Sequence, residues 1–226
     1  MILGGSRGLG RALGLQLIGQ GERVVLVARS FAQSKELSLG LTIEGDLTQS
    51  DFLLNLKNLL LQQPGRLKMV FVCFATQSAG PLLGSTTHER QQVIAANICA
   101  PLEFALEFGE LFENHKTKII FIGSQAAFFP TPSMAIYCAS KAFLRSWVLA
   151  WSQEVKFAVA LFHPPPMGRI NQATYVQAAT RLLRFASREE IEGYYSFSMS
   201  FSKWVVALVP LRRLLEVSAK IARAAL

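Results

Sequence analysis

Tyr137-Cys138-Ala139-Ser140-Lys141 sets a phenol and an ammonium four residues apart, and Ser124 closes an apolar run thirteen residues before Tyr137. On a helix, residues four apart share one face, about one turn from each other. A free phenol titrates near pH ~10, too high for proton transfer at neutral pH. A neighbouring cation favours phenolate, so the expectation is that Lys141 brings Tyr137 into the range of a general acid and base while Ser124 holds the oxygen being protonated. A tyrosine four residues before a lysine is common by chance. The pair gains its weight from the glycines at the start of the chain.

Gly4, Gly8 and Gly10 have the spacing GxxxGxG between the apolar stub Met1-Ile2-Leu3 and a helical pattern carried by Leu9, Leu13, Leu17 and Ile18. Residues without a Cβ let the backbone approach a pyrophosphate, and a helix N-terminus offers free N–H groups and partial positive charge. The blander reading is a tight turn and nothing more. The end of the next apolar run reads Val27-Ala28-Arg29-Ser30, without the carboxylate that would hydrogen-bond a ribose 2′-hydroxyl. Arg29 and Arg7 together make a cationic fork for a 2′-phosphate, so NADP(H) is expected over NAD(H); two solvated arginines are the alternative.

These residues need a scaffold, and the chain supplies one by alternation. RVVLVA, LKMVFVCFA (67–75), KIIFIG (118–123) and FAVALF (157–162) are too uniformly apolar for half-exposed strands and read as parallel strands buried on both faces. Between them lie helical patterns at Leu53, Leu56, Leu59 and Leu60, from Thr87 to Asn114, and from Tyr137 to Glu154. The expected fold is α/β: a Rossmann-like doubly wound parallel sheet in three α/β/α layers, with about six to seven strands and a truncated first strand. Ligands in such sheets bind beyond the strands' carboxyl ends, where the glycine loop, Ser124 and the loop from His163 to Arg169 all fall.

A length of 226 residues with 51% hydrophobic and 17% charged residues describes one globular domain, without repeats or a linker-like boundary. It divides into a cofactor-binding and catalytic core, 1–170, and substrate-cleft and C-terminal helices, 171–226. The net charge of +8 is spread along the chain with no dense basic run, so nucleic-acid binding is not expected. Cys73, Cys99 and Cys138 show no CxxC spacing and no clustered histidines, which points to reduced thiols and no metal site. The glycine loop is reached by residue 4 and no uncharged apolar run reaches the ~18 residues of a membrane span, so a cytoplasmic location without a signal peptide is expected.

With these motifs in order, residues 1–170 resemble the short-chain dehydrogenase/reductase superfamily, in its classical NADPH-preferring branch. The resemblance implies a catalytic tetrad of Asn97, Ser124, Tyr137 and Lys141, with Asn97 helping to hold a water beside the lysine. For Asn97 the reading of a helix-kink residue ahead of Pro101 stands beside that role. It implies that the adenine is held by the turn containing Asp46 and Leu47. It places Gly4, Ser6, Arg7, Gly8, Leu9, Gly10, Arg29, Ala75 and Pro164 around the cofactor, with Tyr137 and Lys141 at the nicotinamide ribose. The activity implied is NADP(H)-dependent interconversion of a carbonyl and an alcohol, on an apolar and lipid-like small molecule, by a homodimer or homotetramer.

The departures from the family pattern motivate an alternative, a catalytically weak nucleotide-binding or regulatory protein. Leu3 stands where the family has a threonine, Cys73-Phe74-Ala75-Thr76 replaces NNAG, and Pro164-Pro165 replaces PG. The first strand falls short of the usual ~5 to 6 residues. Past residue 170 the resemblance fades. The stretch from Thr174 to Tyr195 is expected as a helix over the substrate cleft. After Pro210, the residues Leu211, Leu214, Leu215, Val217, Ser218, Ile221 and Ala222 form an apolar face opposite Arg212, Arg213, Glu216, Lys220 and Arg223. That face suits packing on the sheet or a dimer partner, or peripheral contact with an anionic membrane.

Overall fold

The structure is a computed structural model, and it describes residues 1–31, 37, 40–165 and 172–194. The expected helix after Pro210 lies outside the described residues. Seven strands form one sheet: β1 (Ile2–Leu3), β2 (Val25–Ala28), β3 (Leu41–Glu44), β4 (Met69–Val72), β5 (Lys118–Ile122), β6 (Val159–His163) and β7 (Glu192–Tyr194). Their spatial order is β3-β2-β1-β4-β5-β6-β7, and every neighbouring pair is parallel. The helices are α1 (Gly8–Gly19), α2 (Ser50–Leu61), α3 (Thr87–Ile94), α4 (Ala100–His115), α5 (Ala135–Trp151) and α6 (Gln172–Ala186). The doubly wound order reverses between β1 and β4, which opens a ligand crevice at that switch point.

Alternation along each strand sends neighbouring side chains to opposite faces, and here both faces are covered. Leu3, Val27, Phe121 and Leu161 enter one core with Phe104, Phe108 and Phe112 of α4. Ile2, Leu26, Phe71, Ile120 and Phe162 enter the other, with Leu13 of α1 and Ala178 and Leu182 of α6. Two-sided burial is why the strands read as unbroken apolar runs. The two-residue β1 survives because it is central: Ile2 pairs with Leu26 on one side and Phe71 on the other. The Leu3 carbonyl also accepts from the Cys73 N–H at 2.8 Å.

The long helical stretch is continuous but changes pitch. Between α3 and α4 a π-helical turn spans Ala95–Cys99. Pro101 has no N–H to donate to the Asn97 carbonyl one turn back, so the α-helical ladder cannot pass that point undisturbed. The kink reading of Asn97 therefore has a direct cause, and the turn carries its side chain inward.

The expectation for the chain after residue 170 needs correction. Only eight residues, 164–171, separate β6 from α6, and the helix ends at Ala186 rather than running on to Tyr195. It packs on α1, burying Ala178, Ala179, Leu182, Phe185 and Ala186, with Gln16 donating to the Val176 carbonyl at 2.9 Å and to Thr180 Oγ1 at 3.1 Å. It then leads into β7, which pairs with β6. A helix in this segment was legible, but which surface it covers depends on β7 joining the sheet beside β6.

Candidate active site

The glycine loop joins β1 to α1, and two of its glycines have distinct steric reasons. Gly4 has φ +84°, and a Cβ there would sit 2.8 Å from the Phe74 backbone nitrogen. A Cβ on Gly10 would sit 2.2 Å from the Gly4 carbonyl oxygen, inside any possible contact. The loop therefore folds against itself as bare backbone. Arg7 occupies the N-cap of α1 without a side-chain cap, and the first turn carries no acidic residue. The first N–H groups of α1 are left for an external acceptor. Small residues, an uncapped helix start and a switch-point crevice fit the pyrophosphate of a dinucleotide.

The other residues named for the cofactor lie around this loop. Ser6 is half-buried within it, and Leu9 is buried under it. Arg29, one residue beyond β2, is exposed, as is Arg7. Asp46 follows β3 and accepts from the Thr48 N–H at 3.0 Å and the Thr48 hydroxyl at 2.9 Å, which shapes the turn that buries Leu47. Ala75 is exposed beyond β4, and Pro164 is buried just after β6.

Ser124 leaves the end of β5 and caps a short 3₁₀ turn, Gln125–Ala127, its Oγ accepting from the Ala126 N–H at 3.1 Å. The phenol of Tyr137 enters from the first turn of α5 and comes near enough to the same hydroxyl for the serine to draw its pKa down. Lys141, one turn on, is 4% exposed. Its Nζ donates to the Ile122 carbonyl at 3.0 Å and stands 5.9 Å from the centroid of the Tyr137 ring. Serine, tyrosine and lysine thus meet at the carboxyl end of β5.

The electrostatics differ from the expectation in one respect. Burial pushes the Tyr137 phenol above its ordinary value, and the Ser124 hydroxyl pulls against that without reversing it. The ammonium of Lys141 is turned to a backbone carbonyl, and burial brings it down to about 8. Burial likewise raises the neighbouring Cys73 thiol to about 12, so it offers the lysine no counter-charge at neutral pH. The phenol therefore rests protonated, in the form of an acid.

Asn97 is 2% exposed, and its whole amide is engaged. Oδ1 accepts from the Thr76 N–H at 2.8 Å, while Nδ2 donates to the Thr76 carbonyl at 2.8 Å and to Ser140 Oγ at 3.0 Å. Ser140 in turn donates to the Tyr137 carbonyl at 2.7 Å. The segment that lacks the family's two asparagines is therefore clamped from outside, by an asparagine on the π-turn. Sequence reading passed over Thr76 and Ser140 as partners because 21 and 43 residues separate them from Asn97, and no local spacing signals such contacts.

Beside Tyr137 a shallow cleft is lined by Ser78, Gly80, Leu82, Ser85, Ser133, Ala135 and Ile136. Leu83 on its rim is fully exposed. A phenol near a hydroxyl, with a buried amine one turn on, can deliver a proton to a bound oxygen and take it back.

Comparison with known proteins agrees with this geometry. The profile described as "short chain dehydrogenase" matches residues 1–167. The very-long-chain 3-oxoacyl-CoA reductase of Neurospora crassa is 26% identical over 236 aligned positions, covering 91% of this chain and 71% of that protein. The enzyme of the same name from Scheffersomyces stipitis is 29% identical over 175 positions, covering 69% of this chain and 51% of its own length. Against several relatives, then, the match spans about half their length. Among solved structures, a metagenomic short-chain oxidoreductase in complex with NADP superposes with a TM-score of 0.74 at 25% identity, over 84% of this chain and 93% of the other. A short-chain dehydrogenase/reductase from Burkholderia phymatum in complex with NAD shares the fold, with a TM-score of 0.79 at 15% identity over 90% of each chain.

Proposed function

The chain belongs to the short-chain dehydrogenase family of oxidoreductases, and on that premise we propose that it interconverts a carbonyl and an alcohol with NADP(H), using Tyr137 as general acid and base. The observation that carries this reading is the approach of Tyr137 to the Ser124 hydroxyl with Lys141 buried one turn away, held on the Ile122 carbonyl at the end of β5. When bound, the dinucleotide supplies the hydride for reduction and accepts it in oxidation.

In the reducing direction Tyr137 Oη releases its proton to the substrate oxygen while Ser124 Oγ donates a hydrogen bond to the same atom. Lys141 Nζ stabilises the phenolate left behind and reaches the ribose hydroxyls of the cofactor. The backbone of Gly4 to Gly10 would hold the pyrophosphate, and the turn at Asp46 and Leu47 would hold the adenine. Arg7 and Arg29, both exposed, would select a 2′-phosphate. Asn97 holds the segment from Cys73 to Thr76 at the floor of the nicotinamide site, supported by its paired contacts with Thr76.

The substrate class we infer is a long-chain 3-oxoacyl thioester or a similarly apolar ketone. The names of the relatives support it, as do the exposed Leu82 and Leu83 beside the cleft. The same reading carries a homo-oligomeric, cytoplasm-facing enzyme with peripheral membrane contact through residues 211–223.

The test is consumption of NADPH and NADH against a panel of 3-oxoacyl thioesters and simple ketones, with Tyr137→Phe as control. The expected result is turnover with NADPH, tighter binding of NADPH than NADH, and a loss of about 10²- to 10⁴-fold in kcat for Tyr137→Phe. Unchanged turnover in that variant would overturn the assignment of the acid.

A further inference from the structure

Tyr137 and Lys141 begin a stripe on α5 whose next member, four residues on, is Arg145. Arg145 makes a two-point ion pair with Glu192 at the start of β7, Nε to Oε1 at 2.7 Å and Nη2 to Oε2 at 3.1 Å. Oε1 of Glu192 also lies 3.0 Å from His163 Nε2. The other ring nitrogen of His163, Nδ1, lies 3.0 Å from the carbonyl oxygen of Ser124. A chain of polar contacts thus runs from the catalytic helix, through the last described strand, back to the catalytic serine.

The surroundings hold the imidazole tightly. His163 is fully buried at the end of β6. Its ring centroid is 5.0 Å from that of Phe128, and the Arg145 guanidinium lies 4.7 Å over the other ring, that of Phe128. On the remaining side, a Cβ on Gly123 would stand 2.7 Å from the imidazole. The glycine beside Ser124 is therefore the residue that lets the ring approach the backbone.

Nδ1 faces a peptide carbonyl, which can only accept, and Nε2 faces a carboxylate. Glu192 anchors the far side of the ring. Burial pushes its carboxyl up, but the hydrogen bonds from His163 and Arg145 outweigh that and hold it at about 2.

We propose that His163 is a positioning residue for the reaction: anchored by Glu192, which Arg145 holds in turn, its ring grips the Ser124 carbonyl and so aims the Ser124 hydroxyl at Tyr137. With Lys141 on the Ile122 carbonyl, two buried side chains grip the exit of β5 at residues 122 and 124. Loosening one of them displaces the serine from the oxygen it must meet, and small misplacements of that kind are costly in rate. The inference rests on the proposed pairing of Ser124 with Tyr137.

Two measurements test it separately. In the first, histidine is labelled with ¹⁵N in the full chain and the ring nitrogens are read by NMR at neutral pH. With only three histidines, His88→Gln and His115→Gln assign the signals. A protonated Nδ1, the donor to the Ser124 carbonyl, is expected for His163, and loss of that bonded signal in Glu192→Gln. An Nδ1 that carries no proton in the unsubstituted protein overturns the proposal whether or not a substrate has been found.

In the second, His163→Gln and Glu192→Gln are compared in steady-state NADPH oxidation. The expected result is a fall in kcat of about 10- to 100-fold for His163→Gln and a smaller fall for Glu192→Gln, with KM for NADPH changed less than about 2-fold. Equal kcat in all three proteins, alongside a Tyr137→Phe variant that is inactive, would sink the positioning role while leaving the general acid in place. If His163→Gln does not fold, Glu192→Gln carries the comparison.

Discussion

The Lys141→Met substitution removes an ammonium that is 4% exposed and keeps most of its apolar stem. Burial lowers that amine from 10.5 to about 8, which corresponds to about 3 kcal/mol of preference for the neutral form in the folded protein. At neutral pH the cation is present in both folded and unfolded chains, so the folded state carries the penalty. Methionine abolishes it but leaves the Ile122 carbonyl without its donor, a loss of about 1 kcal/mol. The cofactor-free variant is expected to be more stable at pH 7 by about 2 kcal/mol, or about 4–8 °C in Tm for a chain of this size. The sign of the pH dependence follows from proton counts. Between about pH 8 and 10.5 the unfolded lysine binds more protons than the folded one, so the original protein gains stability as pH rises and the gap closes. Urea unfolding of both proteins at about pH 7, 9 and 10.5 reads the effect. NADPH turnover in the variant is expected to vanish throughout. A variant less stable at pH 7, or a gap that stays constant across the series, would refute the claim that the fold buries this cation at its own expense.

Gly10→Ala drives a Cβ to 2.2 Å from the Gly4 carbonyl; displacing the loop should cost about 1–3 kcal/mol of stability and weaken NADPH binding at least about tenfold, read by fluorescence titration. Asn97→Ala leaves the Thr76 N–H unmet at the edge of the core, for a loss of about 2–4 kcal/mol; faster hydrogen exchange at the Thr76 amide should accompany it, and unchanged exchange would argue against the clamp. Phe108→Ala removes the middle of the Phe104, Phe108 and Phe112 stack, whose ring centroids are 4.6 and 5.8 Å apart along the row, and is expected to lower stability by about 3–5 kcal/mol in urea unfolding without changing the ratio of NADPH to NADH affinity.

Local chemistry made much of the framework readable. A strand buried on both faces must be apolar at successive positions, so the runs at 67–75, 118–123 and 157–162 announced β4, β5 and β6. A backbone that turns back on its own carbonyl needs glycine, so Gly4 and Gly10 announced the loop. Tyr137 and Lys141 needed only helical spacing to share a face, and Pro101 marked where the long helix must break. Each of these depends on contacts within a few residues.

Other features depend on which distant segments meet, and the same residues could not reveal them. The helix α6 was expected, yet its partner is α1 because β7 joins the sheet beside β6 and draws the helix into the layer. Asn97 carried a plausible role, but its grip on Thr76 and Ser140 exists only once the π-turn is packed against the end of β4. The balance at Tyr137 is set by burial, a property of the assembled core, which outweighs the pull of Ser124, while the lysine that spacing had credited is turned to the Ile122 carbonyl. His163, Arg145 and Glu192 lie on three elements far apart in the chain, and only the parallel order of β5, β6 and β7 brings them to the serine. Sequence determined the functional groups and their scaffold through local sterics and periodicity; the protonation state and aim of those groups were decided by the tertiary structure, because desolvation and long-range hydrogen bonds act between segments rather than along them.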